Sequence, residues 1–373
     1  MPLIAVAANN AWNILNYRSG LISALRDAGC DVAVIAPDGP HAAAVRALGA
    51  SFHPLPMQPR GTSPIADLVL LLRFRRLLGR LKPATLLGFT AKPNIWGGMA
   101  ARSLGIPLFA NISGLGAVFA SGGPVMRLVT ALYRQALRPP AMVFFQNPDD
   151  RALFIERGIV LADHTRLLPG SGVDLAHFVP RTVLRKPGRP FTFLFAGRLL
   201  WAKGVAEFIE AGRRLKAQGR AVTLQILGLV EPPGPPAVPL SALEEWQRQG
   251  AADYLGSTDD VRAALAAADC VVLPSFYREG VPHILLEAAA MARPVITTDS
   301  PGCRLAVDDG VSGLLCTPRS VESLAEAMER LASFASAARA AMGRAGRAKV
   351  EREFDERLVH AAYVDALVQS GIL

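Results

Sequence analysis

No apolar run in the sequence approaches the ~18 residues that a membrane-spanning helix needs. Hydrophobic residues make up 51% of the chain, but Lys and Arg interrupt every apolar stretch, so no transmembrane helix is expected. Cysteine is scarce too: Cys30, Cys270, Cys303 and Cys316 lie far apart with no C-x-x-C pair, which argues against a zinc site or a thioredoxin-like motif and leaves them as reduced packing residues. The sequence also lacks a G-x-x-x-x-G-K-[ST] phosphate loop, H-E-x-x-H, G-x-S-x-G and a strand-following G-x-G-x-x-G. Nor is there a D-x-D triplet to hold a divalent metal under a diphosphate, so no metal or other cofactor is expected.

Acid is in shorter supply than base. The formal net charge of +9 and a pI near 9.8 imply an anionic partner: nucleic acid, a phosphorylated substrate or an acidic membrane surface. Without an aromatic-interleaved basic patch or a recognised binding motif, nucleic acid is set aside. The stretch from Met1 to Ala8 has no basic n-region, and its apolar run stops at Asn9-Asn10. It reads as a short buried strand, not a signal peptide, and a cytoplasmic location is expected.

What is present is a repeated unit, in which a short run rich in Val, Ile, Leu or Phe is followed by a turn and then by a segment of helical period. In the first half, strands are expected at Leu3–Ala8, Val32–Ala36, Thr85–Phe89, Pro107–Ile112 and Met142–Phe145, with helices at Gly20–Ala28, Pro64–Leu81, Asn94–Leu104 and Pro124–Leu137. A Pro-containing polar stretch from Asp174 to Pro190 breaks the rhythm, which restarts at Phe191. The second half gives strands at Thr223–Leu227, Cys270–Leu273, Pro294–Thr297 and Gly313–Cys316 and helices at Gly204–Gln218, Asp259–Ala267, Pro282–Ala292 and Val321–Ser333. Glu231 to Pro236, with four prolines, is expected to be a surface loop. Two doubly wound, Rossmann-like parallel-sheet α/β domains facing a cleft follow. The expected bounds are 1–173, a linker at 174–190, 191–353, and a terminal helix within 354–373 that packs back on the first domain.

Open parallel sheets bind ligands beyond the carboxyl ends of their strands, so the residues after each apolar run carry the functional expectations. The run ending at Ala196 leads into Gly197-Arg198-Leu199-Leu200-Trp201-Ala202-Lys203-Gly204. Gly197 lets the backbone approach a ligand, Arg198 offers a bidentate fork for phosphate, and Lys203 a point charge. The competing reading is of two solvated surface cations. After Leu273 comes Pro274-Ser275-Phe276-Tyr277-Arg278-Glu279-Gly280-Val281-Pro282. With Pro282 at the first helical position, Gly280 and Val281 present amides at a helix N-terminus, a site for anionic phosphate. Glu287, eight residues beyond Glu279, falls in the second helical turn and is suited to ribose hydroxyls, or is simply a paired charge. A third stretch, Thr297 to Arg304, either lines the cleft beside the ligand or, the preferred reading, is an ordinary turn.

These spacings resemble glycosyltransferase family 4, retaining enzymes of the GT-B architecture. That family pairs a Gly-Arg-x-x-x-x-Lys-Gly loop, here Gly197 to Gly204, with Glu-x7-Glu, here Glu279 to Glu287. The resemblance covers most of the chain and sharpens into a subgroup acting on polyprenyl-diphosphate-linked glycans. It rests on Tyr277 to Pro282, Thr297-Thr298-Asp299 with Gly302-Cys303-Arg304, Tyr254-Leu255-Gly256 with Asp259-Asp260-Val261, Phe89 to Asn94, and Phe144-Phe145-Gln146-Asn147. It implies that Arg198 and Lys203 contact the diphosphate of a nucleotide-sugar donor, UDP-linked, that Glu279 meets the transferred sugar and Glu287 the ribose, and that Asn13, Thr90, Lys92 and Ser113 meet the acceptor. It further implies retention at the anomeric carbon without a metal. Four positions depart from the pattern. Asn9-Asn10-Ala11-Trp12-Asn13 replaces paired glycines, Ser113 stands where many members have histidine, His283 where the subgroup has arginine, and Leu305 where it has glutamate.

From Val69 to Lys82, one helical face carries Leu70, Phe74, Leu77, Leu78 and Leu81 and another Arg73, Arg76 and Arg80. This is either a core helix with a basic outer face, the preferred reading, or an interfacial helix on the anionic cytoplasmic face of the inner membrane. A nucleotide-sugar epimerase of the same architecture is the alternative activity, distinguished by isomerising its sugar without an acceptor.

Overall fold

The computed structural model describes residues 1–58, 63–116, 119, 122–139, 141–181, 188–230 and 236–373. They form two compact units: residues 1–171 together with 356–373, and residues 172–355.

The first unit is built on a seven-stranded parallel sheet: β1 (Leu3–Ala7), β2 (Asp31–Ala36), β3 (Ser51–Pro54), β4 (Thr85–Phe89), β5 (Leu108–Ile112), β6 (Ala141–Phe145) and β7 (Thr165–Leu167). Its strand order is β3-β2-β1-β4-β5-β6-β7. Alternation along β1 explains why that strand reads as one apolar run: Ala5 and Ala7 face one packed layer, Ile4 and Val6 the other, and all four are fully buried. The helix Ala11–Asp27 begins well before the expected Gly20 because Asn10 caps it, its side chain accepting from the Asn13 amide at 2.6 Å. The helix Pro64–Leu81 buries Leu70, Phe74, Leu77 and Leu78. Those side chains belong to the core, so they are not available to lipid.

The terminal helix Glu356–Gln369 belongs to the first unit, lying against the helix Ala11–Asp27. Tyr363 is its anchor: the ring packs on Phe144 and Phe89, and the hydroxyl accepts from Asn111 Nδ2 at 2.9 Å. Burial pushes the Tyr363 hydroxyl up to about 12.

The second unit carries β8 (Phe191–Ala196), β9 (Val222–Leu227), β10 (Asp253–Tyr254), β11 (Cys270–Leu273), β12 (Val295–Thr298) and β13 (Gly313–Cys316), in the order β10-β9-β8-β11-β12-β13 and parallel throughout. Both sheets therefore grow outward in two directions from their first strand, giving a switch point between β1 and β4 and another between β8 and β11. Part of the stretch expected as a linker is packed in this unit. Phe178 joins its core and Arg347 Nη1 donates to the Phe178 carbonyl at 2.6 Å, while Gly172 and Val173, expected at the end of the first domain, belong to this unit too, Val173 bridging Asp355. Residues 182–187, and 231–235 of the expected proline loop, lie outside the described residues. All four cysteines are buried free thiols, and burial raises the Cys316 thiol to about 12.

Candidate functional site

The switch point of the second sheet is flanked by the loops after β8 and β11, and these two loops are pressed together. Phe276 and Tyr277 both donate their amides to the Ala202 carbonyl, at 3.0 and 2.9 Å. Gly204 sits at φ +82°, and a Cβ there would lie 2.2 Å from the Pro274 carbonyl oxygen. Glycine is required twice over, by conformation and by space.

This contact brings Lys203 to Glu279. Lys203, only 7% exposed, donates from Nζ to Glu279 Oε2, while Glu279 Oε1 accepts from Ser275 Oγ at 2.7 Å. Both carboxylate oxygens are thus engaged, and the charge is held in one orientation. Arg198 is exposed, its guanidinium 5.7 Å from the Tyr277 ring centre, and Lys203 Nζ lies 6.0 Å from the same ring. Two cations, one carboxylate and an aromatic ring therefore share one end of the sheet. Gly197 holds φ +147° with open space where a Cβ would stand.

The turn after β12 buttresses this arrangement. Thr298 Oγ1 and Ser300 Oγ both donate to the Ser275 carbonyl, the latter at 3.2 Å. Gly302, at φ +82°, approaches so closely that a Cβ would lie 1.4 Å from the Gly280 carbonyl oxygen. Burial first, and the nearby Glu279 charge second, raise the Cys303 thiol above its ordinary value. The stretch Thr297 to Arg304 is more than a turn, because its glycine and hydroxyls set the position of the Glu279 loop.

Gly280 and Val281 are buried and precede the helix His283–Ala290, with Pro282 as its N-cap residue and not its first helical residue as expected. Glu287 lies in the second turn. Its Oε1 is 2.7 Å from His283 Nδ1, one turn back along the helix. Sequence reasoning left Glu287 as either a ribose contact or a paired charge; its pairing through one oxygen leaves room for both.

In the first unit, the acceptor-side candidates follow adjacent strands at their carboxyl ends. Asn13 stands in the first turn of the helix after β1, Thr90 and Lys92 follow β4, and Ser113 follows β5. Thr90 holds φ +80°, a costly conformation for a β-branched residue, and its Oγ1 is buried with no partner among the described residues. Asn13 Oδ1 is likewise buried without a partner among them. Lys92 pairs with Asp67 at 2.8 Å, and Ser113 is exposed. Among the described residues no three His, Cys, Asp or Glu side chains come together as a metal site, and no helix is long and apolar enough to cross a membrane.

A family model for glycosyl transferases group 1 matches residues 190–333, and one for a glycosyl transferase 4-like domain matches residues 14–170. The chain belongs to the family 4 glycosyltransferases of GT-B fold. It is 28% identical over 335 residues, 86% of each chain, to an N,N'-diacetylbacillosaminyl-diphospho-undecaprenol alpha-1,3-N-acetylgalactosaminyltransferase of Campylobacter jejuni. Sucrose-phosphate synthase of Thermosynechococcus elongatus shares the fold with a TM-score of 0.80 at 19% identity, covering 100% of both chains. HepE of Anabaena, determined in complex with UDP-glucose, superposes with a TM-score of 0.78 at 18% identity over 99% of this chain and 100% of its own.

Sequence reasoning about this glycosyltransferase missed Ser275, Thr298 and Ser300 as supports of Glu279. Small hydroxyl residues near a glycine turn carry no spacing signal; only the β11–β12 pairing brings them together. The membrane reading also shifts. The outer face of the helix Pro64–Leu81 exposes Ile65, Leu68 and Leu72 beside Arg73, Arg75, Arg76 and Arg80.

Proposed function

We propose that this glycosyltransferase moves a hexose or N-acetylhexosamine from a UDP-linked donor to a polyprenyl-diphosphate-linked glycan, with retention at the anomeric carbon and without a metal. The observation that carries the donor half is the Lys203–Glu279 pair beside Arg198 at the β8/β11 switch point. The acceptor half draws on the Campylobacter relative, whose name specifies a diphospho-undecaprenol glycan. UDP draws on the Anabaena complex.

In this reading the bond between the anomeric carbon and the diphosphate oxygen breaks while the acceptor hydroxyl attacks from the same face. Negative charge grows on the leaving diphosphate and is met by Arg198 and Lys203, which need no reorganisation to meet it. Positive charge grows on the sugar ring and is met by Glu279, held by Ser275 and Lys203. The leaving phosphate accepts the proton from the acceptor hydroxyl, so no separate base is invoked. Glu287 takes the ribose hydroxyls, and Asn13, Thr90, Lys92 and Ser113 meet the acceptor. Catalysis becomes positioning and electrostatics. Membrane contact is reversible, through the exposed apolar and basic face of the helix Pro64–Leu81, on an anionic cytoplasmic surface.

The test is transfer. Purified protein with UDP-sugars and a polyprenyl-diphosphate-linked glycan should give an extended lipid-linked product with the donor's anomeric configuration, and the yield should survive excess chelator. Loss on chelation with recovery on adding Mg²⁺ or Mn²⁺ would remove the metal-free mechanism. An inverted product would remove retention. Sugar isomerisation without acceptor would favour the epimerase.

A further inference from the structure

A cleft of about 530 Å³ opens in the first unit, and none of the residues assigned to the donor lines it. Pro37 enters it from the end of β2, Pro56 and Met57 from beyond β3, and the helix Pro64–Leu81 adds Val69 and Arg73, with Lys92 also on the wall. The lining thus combines apolar surface with two cations. Lys92 is compensated by Asp67, and Asp38, the one acid among the described lining residues, accepts from the Gly39 amide at 3.0 Å. Arg73 donates only to a neutral acceptor, the Pro56 carbonyl at 3.3 Å, and has no carboxylate partner among the described residues.

The same helix continues the apolar surface outside the cleft. Ile65, Leu68 and Leu72 are 78%, 56% and 54% exposed, and their spacing puts them in one stripe beside Val69. A soluble protein gains nothing in stability from such a stripe, and it marks a surface that meets something apolar. A free phosphate would find the cations but waste the apolar walls; a neutral lipid would find the walls and leave Arg73 unanswered. The lining fits an amphiphile with an anionic head.

We propose that this cleft holds the prenyl diphosphate end of the acceptor, with the phosphates at Arg73 and Lys92, the first isoprene units against Pro56, Met57 and Val69, and the remaining chain leaving over Ile65, Leu68 and Leu72. This rests on the reading of the acceptor as lipid-linked and adds where its lipid is held.

Equilibrium dialysis of the full chain with geranylgeranyl diphosphate, below its aggregation concentration, tests it without turnover. Inorganic diphosphate supplies the head alone and geranylgeraniol the tail alone. Saturable binding of the amphiphile is expected, at least tenfold tighter than either half. Val69→Asp and Arg73→Ala, both at accessible positions, should each weaken it at least tenfold while the thermal midpoint stays unchanged. Equal binding of inorganic diphosphate, unaltered affinity in both variants, or a loss caused by Lys203→Ala in place of Val69→Asp would overturn the assignment. A failed transfer assay alongside these binding results would count against the proposed reaction alone. Successful transfer with unchanged amphiphile binding and acceptor KM in both variants would count against the cleft alone.

Discussion

Glu279 and Glu287 stand eight residues apart in sequence, yet their surroundings give them different chemistry. Glu279 is held by Lys203 and Ser275, and in the proposed reaction it faces the carbon where positive charge grows, so its contribution would be largest in the transition state. Glu279→Gln should therefore lower kcat more than it raises the donor KM. As the proposed ribose contact, Glu287 would make similar bonds before and during reaction. Glu287→Gln should chiefly weaken nucleoside diphosphate binding, by about 1.5–3 kcal/mol for a charge-assisted contact. Calorimetry with UDP alone separates the two, and normal binding by Glu287→Gln with poor binding by Glu279→Gln would reverse the assignment. Arg198 is exposed, so Arg198→Ala should cost about 10²–10³-fold in turnover with the thermal midpoint unchanged. A folded variant with a near-normal rate would show that Arg198 does not meet the leaving group. The motif residues were legible from spacing because each follows an apolar strand. The hydroxyls beneath Glu279 were not, since their role exists only once β12 lies beside β11.

At the scale of elements, the three strands absent from the sequence reading are β3, β7 and β10, and all are edge strands. An edge strand has one neighbour and a solvent side, so it has no need of a continuous apolar run; Ser51-Phe52-His53-Pro54 and Asp253-Tyr254 have none. Inner strands, buried on both faces, announced themselves within a residue or two at each end. The helix Pro64–Leu81 had its bounds and its core face legible, Leu70, Phe74, Leu77 and Leu78 being buried, but not the exposed Ile65, Leu68 and Leu72: periodicity shows which residues share a face, and only packing shows which face is covered. The exposed stripe of Ile65, Leu68 and Leu72 predicts that vesicle binding needs both anionic lipid and these side chains. Sedimentation with anionic vesicles should weaken with salt and drop sharply in Leu68→Ser/Leu72→Ser. Equal binding to neutral vesicles would contradict the electrostatic part, and unchanged binding by the double variant the apolar part.

The whole molecule contains the same sheet order twice, and the final eighteen residues return to the first unit. Tyr363 is fully buried there, so Tyr363→Ala should cost about 3–5 kcal/mol, the scale for removing a buried aromatic side chain. Denaturant unfolding should show that loss in the unit holding residues 1–171; an unchanged profile would mean the terminal helix is dispensable. Because one sheet is assigned to the donor and the other to the acceptor, the central claim is that UDP is held at the β8/β11 switch point. Hydrogen exchange with and without UDP measures this across both units at once. The account predicts slowed exchange in residues 197–204, 274–282 and the start of the helix His283–Ala290, with little change beyond β1 and β4. Protection concentrated after β1 and β4, with residues 197–204 and 274–282 unaffected, would contradict it.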